Sequence, residues 1–326
     1  MLLALLVVLV PWLGTQGDGE GESLIVLRAG HSASLDEPYH LGLLEFARIV
    51  EERSDGRVRV EVYPAGQLGS ERMMIEGLLL GTLDLVVAAN GSATSFVPGL
   101  GVLDLPFLFR DREHMYAALD GEVGNRLVST AREGGFRILG FMDAGVRHIM
   151  TRSRPIEAYT DLQGLKLRTM PVAAHLAAFD AFGAQALALN YGEVYGGLQT
   201  GLIDGAEAAN TNFTRRNFFE VAPHWAQVGW IILVANMMMS EEAYTRLPED
   251  VQEILADAGR QATALERRLY RESDEALLLR IRELGVNVTY PDVRPFREAA
   301  EGLYPELLPD PEARALLSMI RGEAEP

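Results

Sequence analysis

Two arginines stand beside apolar, strand-like segments and are the first candidates for chemistry. The segment GLKLRTMPV, residues 164–172, alternates leucine with polar residues and places Arg168 on the face opposite the leucines. Arg147 lies in DAGVRHIMT, just after the strand-like segment FRILGFM. A guanidinium can bind a carboxylate bidentately and keeps its charge at physiological pH. Both arginines are therefore candidates to bind an anion, and the alternative is that each forms a structural ion pair.

Four polar residues stand at predicted strand ends, where they could meet hydroxyl groups or a second carboxylate oxygen: Asn90, Ser92, Asn210 and Asn212. Asparagines in loops more often serve turns. Tyr191 could form the wall of a pocket, although most aromatic residues belong to a core. His31 and Asp36 flank the first predicted strand–helix junction, where a loop often folds over a ligand, but Asp36 could instead cap the helix.

A catalytic constellation is not visible in the sequence. The six histidines take neither the HExxH spacing nor another metal-ligand spacing, and the chain has no cysteine. The segment Gly-Ser-Ala at 91–93 lacks the second glycine of a GxSxG elbow, and GLGVLD at 99–104 lacks the third glycine of a dinucleotide loop. A triad assembled in space could occur in any fold, but these absences favour binding over catalysis.

The elements that must position these residues alternate between strands and helices. The chain reads as strand, helix, strand, helix, strand over ESLIVLRAGHS, EPYHLGLLEFARIVEERSDG, RVRVEVYP, SERMMIEGLLLG and LDLVVAAN. That order favours a largely parallel sheet covered by helices. Arg168 falls where a strand, ended by Pro171, passes into a helix, which in open α/β sheets is the edge that faces a ligand. A long amphipathic helix over 250–284 could brace two lobes, and we expect the tail after Pro305 to be a surface strap.

Two segments of the chain echo each other. GLLLGTLDLVVAAN at 77–90 aligns with GLQTGLIDGAEAAN at 197–210, and both read as a helix end, a glycine cap and a strand that delivers an asparagine. The likeness could be coincidence, because helix–glycine–strand units are common in α/β proteins. As geometry it suggests two lobes, each with a polar residue at a strand end.

The composition excludes several classes of partner. The 326 residues are enough for two domains, and 48% hydrophobic with 23% charged residues is a globular composition. The formal net charge of -17 repels phosphate backbones, so we expect no nucleic acid partner. In so negative a protein, a site for an anion needs fixed positive charge.

The N-terminal segment MLLALLVVLVPWLGTQGDGEGES is typical of an export signal. Its apolar run, interrupted by Pro11, is too short to span a bilayer comfortably, although no Lys or Arg precedes it. We expect residues 1–22 to be a signal peptide that is cleaved, and the alternative is a segment retained as an anchor.

Four segments together resemble the DctP-type extracytoplasmic solute receptors of tripartite ATP-independent periplasmic (TRAP) transporters. They are, in order, GQLGSERMMIEGLLLGTLDL, GVRHIMTRSRPI, DLQGLKLRTMPV and EVYGGLQTGLIDGAEAANTNFTRRNFFEVAP. The resemblance runs from about Ser23 to about Pro305, and it is their combination that is specific.

The resemblance implies a two-lobed, periplasmic-binding-protein-like α/β fold, with a mostly parallel sheet in each domain, crossing strands and a long bracing helix. The implied domain I is 23–144 plus 234–273, and domain II is 145–233 plus 274–326. An organic acid would bind in the cleft between them and be sequestered by hinge closure. The receptor would be periplasmic and would deliver the acid to membrane permease subunits driven by an ion gradient, without ATP and without a cofactor.

The resemblance also assigns roles to residues. The carboxylate-binding arginine of the family falls on Arg168, and a second family arginine falls on Arg147. Many relatives carry Asn after the Glu of a DGxE motif, whereas Ala208 follows Glu207 here, which favours a bulkier or partly apolar monocarboxylate. Relatives with a bound metal tend to have Trp at that position, so we expect no metal. The predicted binding set is Arg168, Arg147, Asn90, Met170, Tyr191, Ala208, Asn210, Glu207, His31 and Asp36.

One rival interpretation uses the same fold and cleft. A sensory receptor would bind the solute and report it without transport, and the sequence does not separate the two functions.

Overall fold

A computed structural model describes residues 24–322, so the predicted signal peptide lies outside the described residues. The strands of this part of the chain are β1 (Ile25–His31), β2 (Val58–Tyr63), β3 (Leu85–Ala89), β4 (Phe136–Thr151), β5 (Lys166–Thr169), β6 (Gln185–Ala188), β7 (Gly205–Ala208), β8 (His224–Ser240) and β9 (Asn287–Thr289). They form one sheet in the order β2-β1-β3-β8-β4-β7-β5-β6, and β9 pairs with β8.

Helices cover this sheet. In the described chain the α-helices are α1 (Pro38–Arg53), α2 (Glu71–Leu79), α3 (Asn90–Ala93), α4 (Arg112–Leu119), α5 (Glu122–Glu133), α6 (Ala173–Ala181), α7 (Val194–Thr200), α8 (Asn210–Arg215), α9 (Glu241–Thr245), α10 (Glu249–Glu283), α11 (Arg294–Glu301), α12 (Tyr304–Leu307) and α13 (Pro311–Arg321). None of the helices within 24–322 is long and apolar enough to cross a bilayer.

The first domain has the predicted strand, helix, strand, helix, strand order. β1 pairs in parallel with β2 and with β3. In β2, Val58 and Val60 are buried whereas Arg59 is exposed, as the alternating pattern predicts. All five residues of β3 are buried, which agrees with its continuous apolar run.

The second domain is built around β5, which pairs in parallel with β6 and with β7. β5 ends at Thr169, and α6 begins four residues later at Ala173, as predicted for the segment around Arg168. Lys166 is exposed, but Leu167, Arg168 and Thr169 are buried, so both faces of the strand end are covered.

Two long antiparallel strands join the domains. β4 pairs with β8 along most of its length and with β7, whereas β8 also pairs with β3. The register of β4 shifts between Asp143 and Val146, midway along the strand. The predicted bracing helix is α10, 35 residues long, which packs on α1 and on β4. The two-domain α/β fold with crossing strands is confirmed.

The tail corrects one expectation. It does not form a simple surface strap after Pro305, because α13 buries one side of its surface. Leu316 and Ile320 pack in the same apolar cluster as Leu103 and Leu127 of the first half of the chain. The predicted domain boundaries stay a prediction, and these contacts favour placing the tail with domain I rather than domain II.

Candidate functional site

A cavity of about 810 Å³ opens between the two domains. Ser32 and Ser92, which follow β1 and β3, line it from the first domain, and Met170 and Tyr191 line it from the second. The loop edges of both half-sheets therefore face one space, as expected at the carboxyl ends of parallel strands. The volume suits a small organic molecule.

Arg168 reaches this cavity from the end of β5. It is only 2% exposed, yet it belongs to the cavity wall. Its Nε donates to the carbonyl oxygen of Leu189 at 2.9 Å, and its Nη1 donates to Oε1 of Glu207 at 3.1 Å. The remaining nitrogen, Nη2, has no hydrogen-bond partner among residues 24–322. Arg168 is thus held in place by two bonds and keeps further donor capacity.

Arg147 lies beside it on β4 and also lines the cavity. Its Nε donates to Oε2 of Glu207 at 2.6 Å, and its Nη1 donates to Oδ1 of Asn212 at 2.8 Å. Glu207, on β7, is 2% exposed and lies behind the two arginines with one oxygen on each. We call Arg147, Arg168 and Glu207 the cleft cluster.

The cleft cluster is short of negative charge. Two guanidinium groups share one carboxylate, and all three side chains are buried. Burial lowers the pKa of Arg168 below its ordinary value, and the charge of Glu207 offsets this only in part. Burial also lowers the pKa of Arg147, but the charge and hydrogen bond of Glu207 outweigh it and leave that pKa above its ordinary value. Arg168 is therefore the less well compensated cation of the two.

The cavity wall contains three further carboxyl groups, those of Glu37, Glu71 and Glu193, and each accepts from neutral donors. Glu71 accepts from the hydroxyl groups of Ser32 and Ser92, each at 2.7 Å. Glu37 accepts from the backbone N–H of Ser34 at 2.8 Å and from Nδ2 of Asn212 at 2.6 Å. Burial raises the pKa of Glu37. None of these three carboxyl groups is hydrogen-bonded to Arg147 or Arg168.

Four of the ten predicted binding residues line the cavity: Arg147, Arg168, Met170 and Tyr191. Glu207 contacts the arginines from behind, and Ala208, fully buried in β7, is not part of the wall.

The two echoed asparagines lie outside the cavity wall. Asn90 donates to the carbonyl oxygen of Leu100 at 2.9 Å and accepts from Nδ2 of Asn236 at 3.0 Å. Asn210 accepts from Nε1 of Trp225 at 2.9 Å. Because these bonds use the polar atoms of both amides inside the protein, their placement favours a structural role.

His31 and Asp36 also lie outside the wall, although their neighbours Ser32 and Glu37 line it. His31 is buried against His40, with 3.1 Å between ring nitrogens, and burial followed by the charge of His40 lowers the pKa of His31 to about 4. Asp36 is exposed and pairs with Arg215. The sequence therefore indicated the correct loop but not the residues of that loop that reach the cavity.

Several residues of the wall were not predicted from the sequence, namely Glu37, Tyr39, Glu71, Asn190, Arg216 and Tyr270. Glu71 lies inside GQLGSERMMIEGLLLGTLDL, one of the four segments that carry the family resemblance, and that segment could have indicated it. Tyr270 has no such signal, because an aromatic residue within a long amphipathic helix looks like part of the core. Within 24–322 no group of three or more His, Asp or Glu residues is arranged to hold a metal ion.

The two domains, the crossing strands and the cavity between the domains are the features of a two-lobed solute-binding protein. The model of the bacterial extracellular solute-binding protein family 7, DctP, matches residues 29–309. The chain belongs to this family, which is one of solute-binding proteins.

Individual relatives agree with that assignment. A solute-binding protein of Verminephrobacter eiseniae is 35% identical over 243 residues, which are 74% of this chain and 72% of the relative. The 2,3-diketo-L-gulonate-binding periplasmic protein YiaO of Escherichia coli is 29% identical over 262 residues, 80% of each protein. The crystal structure of a TRAP periplasmic solute-binding protein from Sulfitobacter sp. NAS-14.1 with bound β-D-galacturonate has a TM-score of 0.88 at 32% identity, covering 91% of this chain and 99% of that one.

Proposed function

We propose that this protein is a periplasmic receptor that binds an organic acid in the cavity and delivers it to a TRAP-type membrane permease. Arg168 pairs with the carboxylate of the acid, and Arg147 supports it. The names of the relatives are consistent with this function, because one binds a diketo sugar acid and another was crystallised with a uronate.

The observation that carries the proposal is the charge of the cleft cluster. Two buried arginines with one buried carboxylate leave an excess positive charge beside an open cavity. An uncompensated buried charge is costly, and an arginine cannot relieve it by losing a proton. A carboxylate from a ligand removes the imbalance and pairs with Nη2 of Arg168, which has no partner within residues 24–322.

The rest of the cavity wall suits hydroxyl groups of the ligand better than a second carboxylate. Glu71, with its two serine partners, and Asn190 offer hydrogen bonds to hydroxyl groups. A second carboxylate placed against Glu71 would meet like charge. We therefore favour a hydroxylated monocarboxylic acid of sugar-acid size over a dicarboxylate.

The experiment is a thermal-shift screen followed by calorimetry on the purified protein. The library contains uronates, aldonates, dicarboxylates, keto acids and aromatic acids, with neutral sugars as controls. A ligand at one hundred times its Kd stabilises the protein by about 2.7 kcal/mol, which shifts the Tm measurably. Stabilisation by neutral sugars alone would overturn the proposal.

Arg168→Ala tests the assigned residue, and Lys166→Ala on the same strand is the matched control because Lys166 is exposed. We expect Arg168→Ala to weaken binding of the acid by at least about 30-fold, since it leaves a desolvated carboxylate unpaired. Lys166→Ala should bind within about twofold of wild type. Delivery is tested separately: deletion of the gene should abolish uptake of the labelled acid, whereas a purely sensory receptor would leave uptake kinetics intact.

A further inference from the structure

A set of polar contacts joins the loop after β1 to helix α8 across the cleft. Nδ2 of Asn212 donates to Oε2 of Glu37 at 2.6 Å. One turn further along, Arg215 pairs with Asp36 at 2.6 Å, and the next residue in sequence, Arg216, donates to the hydroxyl of Ser34 at 3.2 Å. The loop belongs to the first domain and α8 to the second, since β1 and β7 lie on opposite sides of the crossing strands.

These contacts differ in how strongly they can hold the two domains together. The side chains of Arg215 and Asp36 are 32% and 53% exposed, so water screens their attraction. Glu37 and Asn212 are 3% and 7% exposed. A hydrogen bond to a carboxyl group in so buried a place is both stronger and more costly to leave unmade.

The amide of Asn212 faces two ways. Its Oδ1 accepts from Nη1 of Arg147 at 2.8 Å, while its Nδ2 donates to Glu37. The amide therefore links a carboxyl group of the first domain to an arginine of the cleft cluster. If the amide turned over, its NH₂ group would face the guanidinium, donor against donor.

Glu37 helps to fix which way that amide points, because it accepts from Nδ2 while Nη1 of Arg147 and the backbone N–H of Ala209 donate to Oδ1. One of its oxygens accepts from the backbone N–H of Ser34 at 2.8 Å, and the other accepts from Asn212. A carboxylate can accept at both oxygens, whereas a carboxamide of the same shape accepts at one end and donates at the other.

We propose that Glu37 is a positioning residue that acts through Asn212 to hold Arg147 in place for the anion. The proposal rests on the proposed function of the cavity and adds a coupling to it. Closing the domains completes the relay from Glu37 to Arg147, so closure improves the anion site. By linkage, the factor by which closure raises the affinity for the anion is also the factor by which the bound anion favours the closed form over the open one.

A double-mutant cycle tests the relay. Glu37→Gln keeps the shape but turns a donor toward Nδ2 of Asn212, and one unmade buried hydrogen bond corresponds to about a 5- to 150-fold loss of affinity. Asn212→Asp alone sets two carboxylates against each other and should also weaken binding. Combining Glu37→Gln with Asn212→Asp restores donor to acceptor at both contacts. Because Asn212→Asp also brings a carboxylate to Arg147 and so competes with the anion, the recovery is measured as the Tm of the ligand-free protein, which we expect to exceed that of the less stable single variant.

The matched control is Arg215→Gln, which breaks the neighbouring exposed contact between the same two segments. It should bind the acid within about twofold of wild type. Wild-type affinity for Glu37→Gln, or a combined variant whose ligand-free Tm is no higher than that of the less stable single variant, would overturn the relay.

A readout without ligand separates this proposal from the function itself. The chain has no cysteine, so Arg59→Cys on β2 and Gln185→Cys on β6 carry spin labels at the two opposite edges of the sheet. We expect Glu37→Gln to shift the distance distribution toward a more open form in the free protein, and Arg215→Gln to leave it nearly unchanged. If no acid binds but this shift occurs, the proposed function fails and the relay stands. If acids bind through Arg168 and Glu37→Gln changes neither affinity nor distance, the relay fails and the function stands.

Discussion

Strand β4 carries parts of two buried ionic clusters that are unbalanced in opposite directions. The cleft cluster, which contains Arg147, has two guanidinium groups and one carboxylate. The second cluster, four residues earlier on the strand, has one guanidinium and three carboxyl groups, and its members are Arg112, Asp143, Glu266 and Asp274. We call it the acid cluster.

The acid cluster has a different way to reach neutrality. Arg112 donates to Asp143 at 2.7 Å and to Asp274 at 2.8 Å, and Glu266 accepts from the backbone N–H of Asp143 at 3.0 Å. Burial, together with the charge of Asp143, raises the pKa of Glu266 well above its ordinary value of 4.5. Burial also raises the pKa of Asp274, against the effect of Arg112. The excess carboxyl groups of the acid cluster can therefore become neutral by binding protons.

The cleft cluster cannot use that route, because arginine keeps its proton under all physiological conditions. Its excess charge is removed only by an anion, and it lines a cavity that can admit one. The sign of the excess charge therefore decides how a buried cluster becomes neutral. Excess carboxyl groups can bind protons, whereas excess arginines need an anion from outside the protein.

The largest expected effect is on the stability of the acid cluster. Arg112→Met leaves Asp143 and Asp274 buried without a cation, so we expect the free energy of unfolding to fall by about 3–5 kcal/mol. Urea denaturation of the ligand-free protein measures it. Arg59→Met, at an exposed position of β2, is the control and should change stability little. A loss below about 1 kcal/mol for Arg112→Met would mean that the acid cluster does not depend on its cation.

The same substitution in the cleft cluster should act on binding instead. Arg168→Met leaves Glu207 paired with Arg147, so the ligand-free protein should lose less than about 1 kcal/mol of stability and could gain some. Affinity for the acid should fall by about 2–5 kcal/mol. Urea denaturation and calorimetry on one preparation give both quantities. Equal stability losses for Arg168→Met and Arg112→Met would remove the contrast between the clusters.

Removing the shared carboxylate makes the imbalance of the cleft cluster worse. Glu207→Gln leaves two buried arginines without a counter-ion, and we expect a stability loss of about 1–3 kcal/mol. The loss should shrink when the acid identified in the screen is present, since the ligand then supplies the missing charge. Tm measured with and without that acid tests this, and a variant as stable as wild type without ligand would contradict it.

The smallest effect is a pH dependence in the acid cluster. Because folding raises the pKa of Glu266, the folded protein binds its proton more tightly, and stability falls as pH rises above the ordinary value of 4.5. Glu266→Gln removes this dependence, so the variant should gain on wild type between pH 5 and pH 8, by about 1–2 kcal/mol. Thermal denaturation at both pH values measures the gain. Glu272→Gln, exposed on the same helix, is the control for the change of residue type.

Much of the fold could be predicted because its signals are local. Alternation in β2, the continuous apolar run of β3 and the proline after β5 each depend on neighbouring residues alone. α13 was missed because the prolines near the C-terminus suggested a strap, whereas Pro311 lies in the first turn of the helix, where its missing amide hydrogen costs nothing.

The site was harder to predict than the fold. Arg168 and Arg147 both line the cavity, as the sequence suggested. Arg168 does so because β5 ends at the loop edge of the sheet, whereas Arg147 reaches the cavity from within β4, just after the register shift between Asp143 and Val146. The echo suggested the same for Asn90 and Asn210, but the partners that engage their amides, such as Asn236 and Trp225, come from β8. Equivalent positions in two similar units therefore need not face the cleft.

The sequence by itself determined most of the strands and helices, the α/β class, and two arginines in or beside strand-like segments, because side-chain periodicity and chain-breaking residues act over a few positions. Only the tertiary structure decided the charge balance. Arg147 meets Glu207 across 60 residues, and Asn212 meets Glu37 across 175. Whether a buried charge is paired, protonated or left for a ligand depends on which distant groups share its low-dielectric surroundings, and that is known only once the chain has folded.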